Sequence, residues 1–138
     1  DINILQESFH HIPDDKYYIN NRKRAFSLLK VNNDIKIIGN LNFYQSPSYN
    51  DYNGNILREY DNISHDILDN KSFKDLVFKF NNVVNEQYNK QNFYIQVHKI
   101  RVYANKESTN LIPEGVHQDG FNIIAICCIK RENIKGGY

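Results

Sequence analysis

Residues 113–138 read PEGVHQDGFNIIAICCIKRENIKGGY, and the prediction of the fold starts from this stretch. It begins with a turn-forming triplet, passes through His117 and Asp119, and then enters an almost unbroken apolar run. A short apolar run bounded by turn residues is typical of a strand that is buried on both faces. We therefore predict a strand over residues 116–129 and a turn at residues 136–137.

His117 and Asp119 are two positions apart at the start of this predicted strand. Side chains two apart on a strand point to the same side, so the imidazole and the carboxylate could bind one ion. With a second histidine they would form the 2-His-1-carboxylate triad, which binds Fe(II) and leaves positions open for cosubstrate and oxygen. The triplet alone also fits an exposed turn or a His–Asp hydrogen bond, because a chain with five histidines and 16 acidic residues contains such pairs by chance.

The preceding run FYIQVHKIRVYA, residues 93–104, alternates in the manner of a strand. His98 falls on one face of it, and Arg101 and Tyr103 fall on the other. A guanidinium group binds carboxylates through two parallel hydrogen bonds, so Arg101 and its neighbour Tyr103 are candidates for contacting a cosubstrate carboxylate. Ordinary surface pairing explains either residue as well.

Upstream of these strands the pattern predicts a helical and loop-rich region. The clearest helix covers residues 72–89, where apolar residues recur at three- and four-residue spacing after a capping-box-like start at Ser72 and Asp75. Three other segments are predicted, namely a partly helical one over 14–31, a strand over 35–44 and a long loop over 45–62.

The composition is that of one globular domain over 138 residues, 41% of them hydrophobic and 24% charged. A net charge of +1 gives no electrostatic reason to expect nucleic acid or an anionic membrane as a partner. No apolar run is long enough to span a bilayer. The basic cluster over residues 22–24 is predicted to lie on a solvated face. Adjacent Cys127 and Cys128 would point to opposite faces of a strand, so we expect reduced core residues in a cytoplasmic protein.

Residues 113–138 closely resemble the core of a bacterial family of 2-oxoglutarate- and iron(II)-dependent dioxygenases, which includes free-amino-acid hydroxylases such as isoleucine dioxygenase. The family pattern Pro-Glu-Gly-x-His-x-Asp-Gly corresponds to residues 113–120, and Arg-x-Asn-Ile-x-Gly-Gly corresponds to residues 131–137. Two earlier blocks are also similar, YQSPSYNDYNGNILREYDNI over 44–63 and VHKIRVYA over 97–104. Together these blocks cover a little under half of the chain, in the family's order.

The resemblance implies a mainly β domain of the α+β class, built on a double-stranded β-helix, which is a jelly-roll or cupin-like core. An N-terminal helical and loop region would occupy residues 1–92, and the core would start within residues 93–138. It further implies that His117 and Asp119 bind Fe(II) and that 2-oxoglutarate and O2 are the cosubstrates. The implied reaction is hydroxylation of a small molecule, with a free L-amino acid as the expected substrate.

The family's second histidine follows several tens of residues after the Gly-Gly turn, and its cosubstrate-binding arginine lies further on. The other four histidines do not match that distal position: His10, His11, His65 and His98. The distal histidine is therefore not present in this chain, and we expect a domain truncated at its C-terminus.

Two other functional hypotheses stay open on the sequence. One is a non-catalytic jelly-roll binding module that has lost a complete metal site. The other is an enzyme with a different first-row metal at the same His/Asp pair, which the order of metal affinities does not exclude. The sequence gives no information on oligomeric state.

Overall fold

A computed structural model of the protein describes residues 1–18, 21–39, 42–50, 53–89, 93–104, 109 and 117–135. Its elements, in chain order, are α1 (Ile2–Glu7), a 3-10 turn (Ser8–His10), β1 (Arg22–Val31), β2 (Ile35–Ile37), α2 (His65–Leu68), α3 (Lys71–Tyr88) and β3 (Tyr94–Val102). The strands form one antiparallel sheet in the order β2-β1-β3. The α+β class is thus confirmed, whereas the complete jelly roll and the division after residue 92 stay predictions.

Helix α3 confirms the helix predicted over residues 72–89, and it buries Phe73 and Val77 against the core. Its N-cap is Asn70, whose side-chain oxygen accepts a hydrogen bond from the backbone N–H of Phe73 at 3.2 Å. The start predicted at Ser72 is wrong, because Asn70 has the extended backbone of a cap and Ser72 already lies inside the helix. No helix in the described ranges is long and apolar enough to cross a membrane.

The segment predicted to be partly helical over residues 14–31 contains strand β1 instead, so that prediction is wrong. Strand β1 is the central strand of the sheet, and its side chains are covered on both faces. A strand covered in this way has apolar residues at consecutive positions, which spacing alone does not distinguish from a helix. Strand β3 confirms the prediction over 93–104, while β2 provides only three residues of the strand predicted over 35–44.

The two faces of the sheet contact different parts of the chain, because alternate residues of a strand point in opposite directions. On one face, Leu29 and Ile95 pack in the hydrophobic core together with residues of the three helices. On the other face, Phe26 stacks on His98, and both contact Phe43 from the loop region. The described part of the loop predicted over 45–62 contains neither helix nor strand, as expected, and it lies near this second face.

The strand predicted over residues 116–129 is wrong for its described part, which forms neither helix nor strand. Ile126 is 93% exposed, and Cys127 and Cys128 are exposed free thiols instead of core residues. Ile129 is the member of this run that packs against the core. A strand needs a neighbour for its backbone hydrogen bonds, and the described sheet consists of β1, β2 and β3 alone.

Candidate metal site and its buried support

His117 and Asp119 lie beside each other at the surface, with His117 Nε2 and Asp119 Oδ1 3.0 Å apart. Their side chains are 25% and 38% exposed, so the pair is accessible from solvent. The structure thus brings the two side chains together in a direct His–Asp contact, and no strand holds them. Their binding of one metal ion stays a prediction. The neighbouring turns predicted at 113–115 and 136–137 lie outside the described residues.

The donor chemistry of this pair fits Fe(II). An imidazole nitrogen and a carboxylate oxygen are the donor types of the 2-His-1-carboxylate site, and His117 and Asp119 offer one of each. No group of three or more His, Cys, Asp and Glu side chains in the described ranges could hold a metal ion. The pair can accordingly supply two of the three protein ligands of such a site.

Gln45, from the long loop, approaches the carboxylate of Asp119 from the protein side. Its Nε2 donates toward Asp119 Oδ1 at 3.5 Å. Its Oε1 accepts hydrogen bonds from Arg58 Nη2 at 2.6 Å and from Asn50 Nδ2 at 3.1 Å. Gln45, Asn50 and Arg58 are all buried, with exposures of 7%, 3% and 1%. A buried polar network therefore extends from the loop to Asp119.

Local hydrogen bonds fix the loop that carries Gln45. Phe43 and Arg58 form an isolated antiparallel bridge, with backbone bonds of 2.8 and 2.9 Å in the two directions. Asn50 Oδ1 accepts from the backbone N–H of Asn53 at 2.8 Å, a side-chain-to-backbone bond of a kind that Asn residues favour. The bridge fixes the position of Arg58 and this hydrogen bond fixes that of Asn50, and these two residues are the partners of Gln45.

Gly120, directly after Asp119, is a second place where the loop lies against this segment. Its φ is +75°, and a Cβ built there would lie 2.8 Å from two ring carbons of Tyr49. Any other residue at this position would be strained by the left-handed backbone and would displace the Tyr49 ring. The loop therefore contacts the segment after residue 117 at two adjacent positions, Asp119 and Gly120.

The family follows from a comparison that covers nearly the whole chain. A family model described as 2OG-Fe dioxygenase matches residues 6–138. The chain belongs to the 2OG-Fe dioxygenase family. It is therefore a 2-oxoglutarate- and Fe(II)-dependent dioxygenase, with Fe(II), 2-oxoglutarate and O2 as its cofactor and cosubstrates. Membership favours catalysis over a non-catalytic binding module. No curated protein sequence matches the chain.

A second, partly buried polar cluster of the dioxygenase lies beneath the loop. Arg24 Nη2 is 2.7 Å from His98 Nδ1, and its guanidinium lies 4.6 Å from the ring centroid of Tyr60. Because arginine is only a donor, His98 Nδ1 accepts this bond. Burial, reinforced by the positive charges of Arg24 and Arg58, lowers the pKa of His98 well below its usual value. The solvated face predicted for residues 22–24 is wrong for Arg24, which is 7% exposed on a covered face of the sheet.

The structure places the two candidate cosubstrate contacts at the C-terminal end of β3. Arg101 Nη1 lies 2.8 Å from His10 Nδ1 in an exposed hydrogen bond. The backbone N–H of Tyr103 donates to the carbonyl of Asn21 at 3.0 Å. The binding of 2-oxoglutarate by Arg101 and Tyr103 stays a prediction.

Spacing in the sequence assigns no role to Gln45, which contacts Asp119, or to the two residues that bond Gln45. Gln45, Asn50 and Arg58 are ordinary polar residues in a turn-rich segment, and they are far from His117 and Asp119 along the chain. The available signal is that all three belong to the block over 44–63 that resembles the family. That signal marks the block without saying which side chain reaches the site.

Proposed function

We propose that this dioxygenase binds Fe(II) through His117 and Asp119 and hydroxylates a small molecule, which is a free L-amino acid. The observation that carries the proposal is the approach of His117 Nε2 to Asp119 Oδ1 at 3.0 Å, in a family whose chemistry depends on Fe(II). Imidazole and carboxylate suit this ion, and their partial exposure leaves room for other ligands. The third protein ligand is not part of the proposal.

When bound, the iron supplies oxygen activation coupled to the decarboxylation of 2-oxoglutarate to succinate and CO2. The protein's own residues hold the reactants in place. His117 and Asp119 bring one nitrogen and one oxygen within 3.0 Å of each other, and the buried loop supports the carboxylate through Gln45. Arg101 and Tyr103 stay candidates for contacting the cosubstrate, because a guanidinium and a phenol suit a carboxylate partner.

The proposed substrate class and barrel rest on the resemblance to free-amino-acid hydroxylases. That resemblance includes the stretch over residues 113–138 and two earlier blocks in the same order. The antiparallel sheet supports the proposal that the chain contributes to a jelly-roll core, because this barrel is built from antiparallel strands.

The ligand assignment is tested by loading the protein with Fe(II) and 2-oxoglutarate in the absence of oxygen. We expect the weak visible charge-transfer band of the iron–2-oxo-acid chelate. His117→Ala should abolish the band because it removes a nitrogen ligand. His11→Ala, which removes an exposed histidine elsewhere in the chain, is the matched control and should retain it. Survival of the band in His117→Ala would contradict the assignment.

The substrate class is tested separately by measuring succinate release across a panel of free L-amino acids. One or a few members should raise succinate formation above the uncoupled background. A response that is unchanged across the whole panel would contradict amino-acid hydroxylation while leaving the metal pair to the first experiment.

A further inference from the structure

We infer that Gln45 is a positioning residue that holds the Asp119 carboxylate for the metal ion, with Arg58 and Asn50 fixing its amide. This inference rests on the proposed role of Asp119 as a ligand. Gln45 would act through Asp119 and would not bind the metal itself. Carboxylates that bind a metal are commonly held by hydrogen bonds from outside the coordination shell, and loss of these bonds weakens metal binding.

The orientation of the Gln45 amide is determined by its neighbours. Its oxygen faces two donors, Arg58 Nη2 at 2.6 Å and Asn50 Nδ2 at 3.1 Å. A flipped amide would turn its NH2 group toward the guanidinium, which has donors only, and both hydrogen bonds would be lost. The amide nitrogen must therefore face outward, toward Asp119.

The Gln45 amide nitrogen faces the same oxygen of Asp119 that His117 faces. Asp119 Oδ1 lies 3.5 Å from Gln45 Nε2 and 3.0 Å from His117 Nε2. The first distance is at the long limit for a hydrogen bond, so this contact is a weak one that orients the carboxylate. Because the same oxygen faces both groups, the position of Gln45 influences how Asp119 is presented beside His117.

Burial makes this support rigid. Gln45 is 7% exposed and Arg58 is 1% exposed, so water does not compete for their hydrogen bond. Arg58 also lies over the Phe43 ring at 4.5 Å, and Phe43 pairs with Arg58 through the backbone bridge. Gln45 lies between these two paired residues in sequence and is held on a fixed piece of backbone.

The test uses Co(II) as an oxygen-stable probe, with its dissociation constant and visible spectrum as readouts. Gln45→Leu removes the donor to Asp119, and we expect Co(II) to bind about 10-fold more weakly and with an altered spectrum. Tyr44→Phe is the matched control. It changes the adjacent residue, whose exposed hydroxyl bonds Asn55 Oδ1 at 3.3 Å, and should leave both readouts unchanged.

A second variant guards against a folding defect. Gln45→Leu leaves the buried guanidinium of Arg58 without its acceptor, and Arg58 Nε has no hydrogen-bond partner in the described ranges. Gln45→Leu/Arg58→Met removes both partners together, which disturbs the fold less than an orphaned charge does. The double variant should unfold cooperatively and show the same loss of Co(II) affinity.

The possible results distinguish the positioning role of Gln45 from the proposed binding of metal by His117 and Asp119. Weaker binding in both Gln45 variants, with Tyr44→Phe unchanged, supports the positioning role. Unchanged affinity and spectrum in both variants, while His117→Ala abolishes binding, would overturn the positioning role alone. No Co(II) binding by the unsubstituted protein, or unchanged binding by His117→Ala, would overturn the metal pair and this inference with it.

Discussion

His98 is a residue whose surroundings favour its neutral form. Burial removes it from water, and the positive charges of Arg24 and Arg58 oppose a second proton, so the pKa of His98 lies well below its usual value of 6.5. The unfolded chain restores the usual pKa. Below about pH 6.5 the unfolded state therefore binds a proton that the folded state does not, and stability falls as the pH is lowered toward the folded-state pKa.

We expect this histidine to reduce the free energy of unfolding between pH 7 and pH 5 by up to about 1.4 kcal/mol per pH unit. His98→Asn should flatten the dependence, because Asn does not titrate while its oxygen can still accept a bond from Arg24. Its smaller side chain should also lower stability at pH 7. Urea denaturation at stepped pH values checks this, with His11→Asn as the exposed control that should retain the slope. A slope unchanged by His98→Asn would contradict the neutral assignment.

At the scale of the elements, helix α3 allows a test of which residue caps its N-terminus. Asn70→Ala should destabilise the protein by about 1 kcal/mol, because it removes the acceptor for the backbone N–H of Phe73. Ser72→Ala should change stability by less than about 0.5 kcal/mol, because Ser72 lies inside the helix. Chemical denaturation of the two variants gives the comparison. A larger loss of stability in Ser72→Ala than in Asn70→Ala would support the capping box at Ser72 that the sequence predicts.

The elements also explain which parts of the fold the sequence predicts. Helix α3 and strand β3 each have a more exposed and a more buried side. The spacing of apolar and polar residues along them therefore indicates a helix and a strand. Strand β1 is covered on both faces, and its apolar residues 25, 26, 28 and 29 have helical spacing. The run over 121–129 has the composition of a buried strand, but burial depends on a partner strand, which the residues of the run do not specify.

At the scale of the whole molecule, the candidate site divides into a local and a distant part. His117 and Asp119 are two positions apart in sequence, so their proximity is a local property of the chain, although the strand on which its prediction rests does not form in the described residues. Gln45 and Tyr49 reach the same place from a loop more than 70 residues earlier. The spacing of residue types along the chain does not predict this contact between the loop and the candidate site. The contact depends on how β1, β3 and the intervening loop pack.

The contact between Gly120 and Tyr49 offers a direct test of this long-range packing. Gly120→Ala should cost about 1–2 kcal/mol from its left-handed backbone, with a further cost from displacing the Tyr49 ring. Gly39→Ala is the matched control, because Gly39 has a φ of +60° and a Cβ there would meet nothing within 4 Å.

Tyr49→Ala should then reduce the cost of Gly120→Ala by more than about 0.5 kcal/mol, because the ring is gone while the backbone strain remains. The same Tyr49→Ala background should leave the cost of Gly39→Ala unchanged. Denaturation of the single and double variants measures both couplings. Additive effects of Gly120→Ala and Tyr49→Ala would mean that the loop does not press on the chain beside Asp119 in solution.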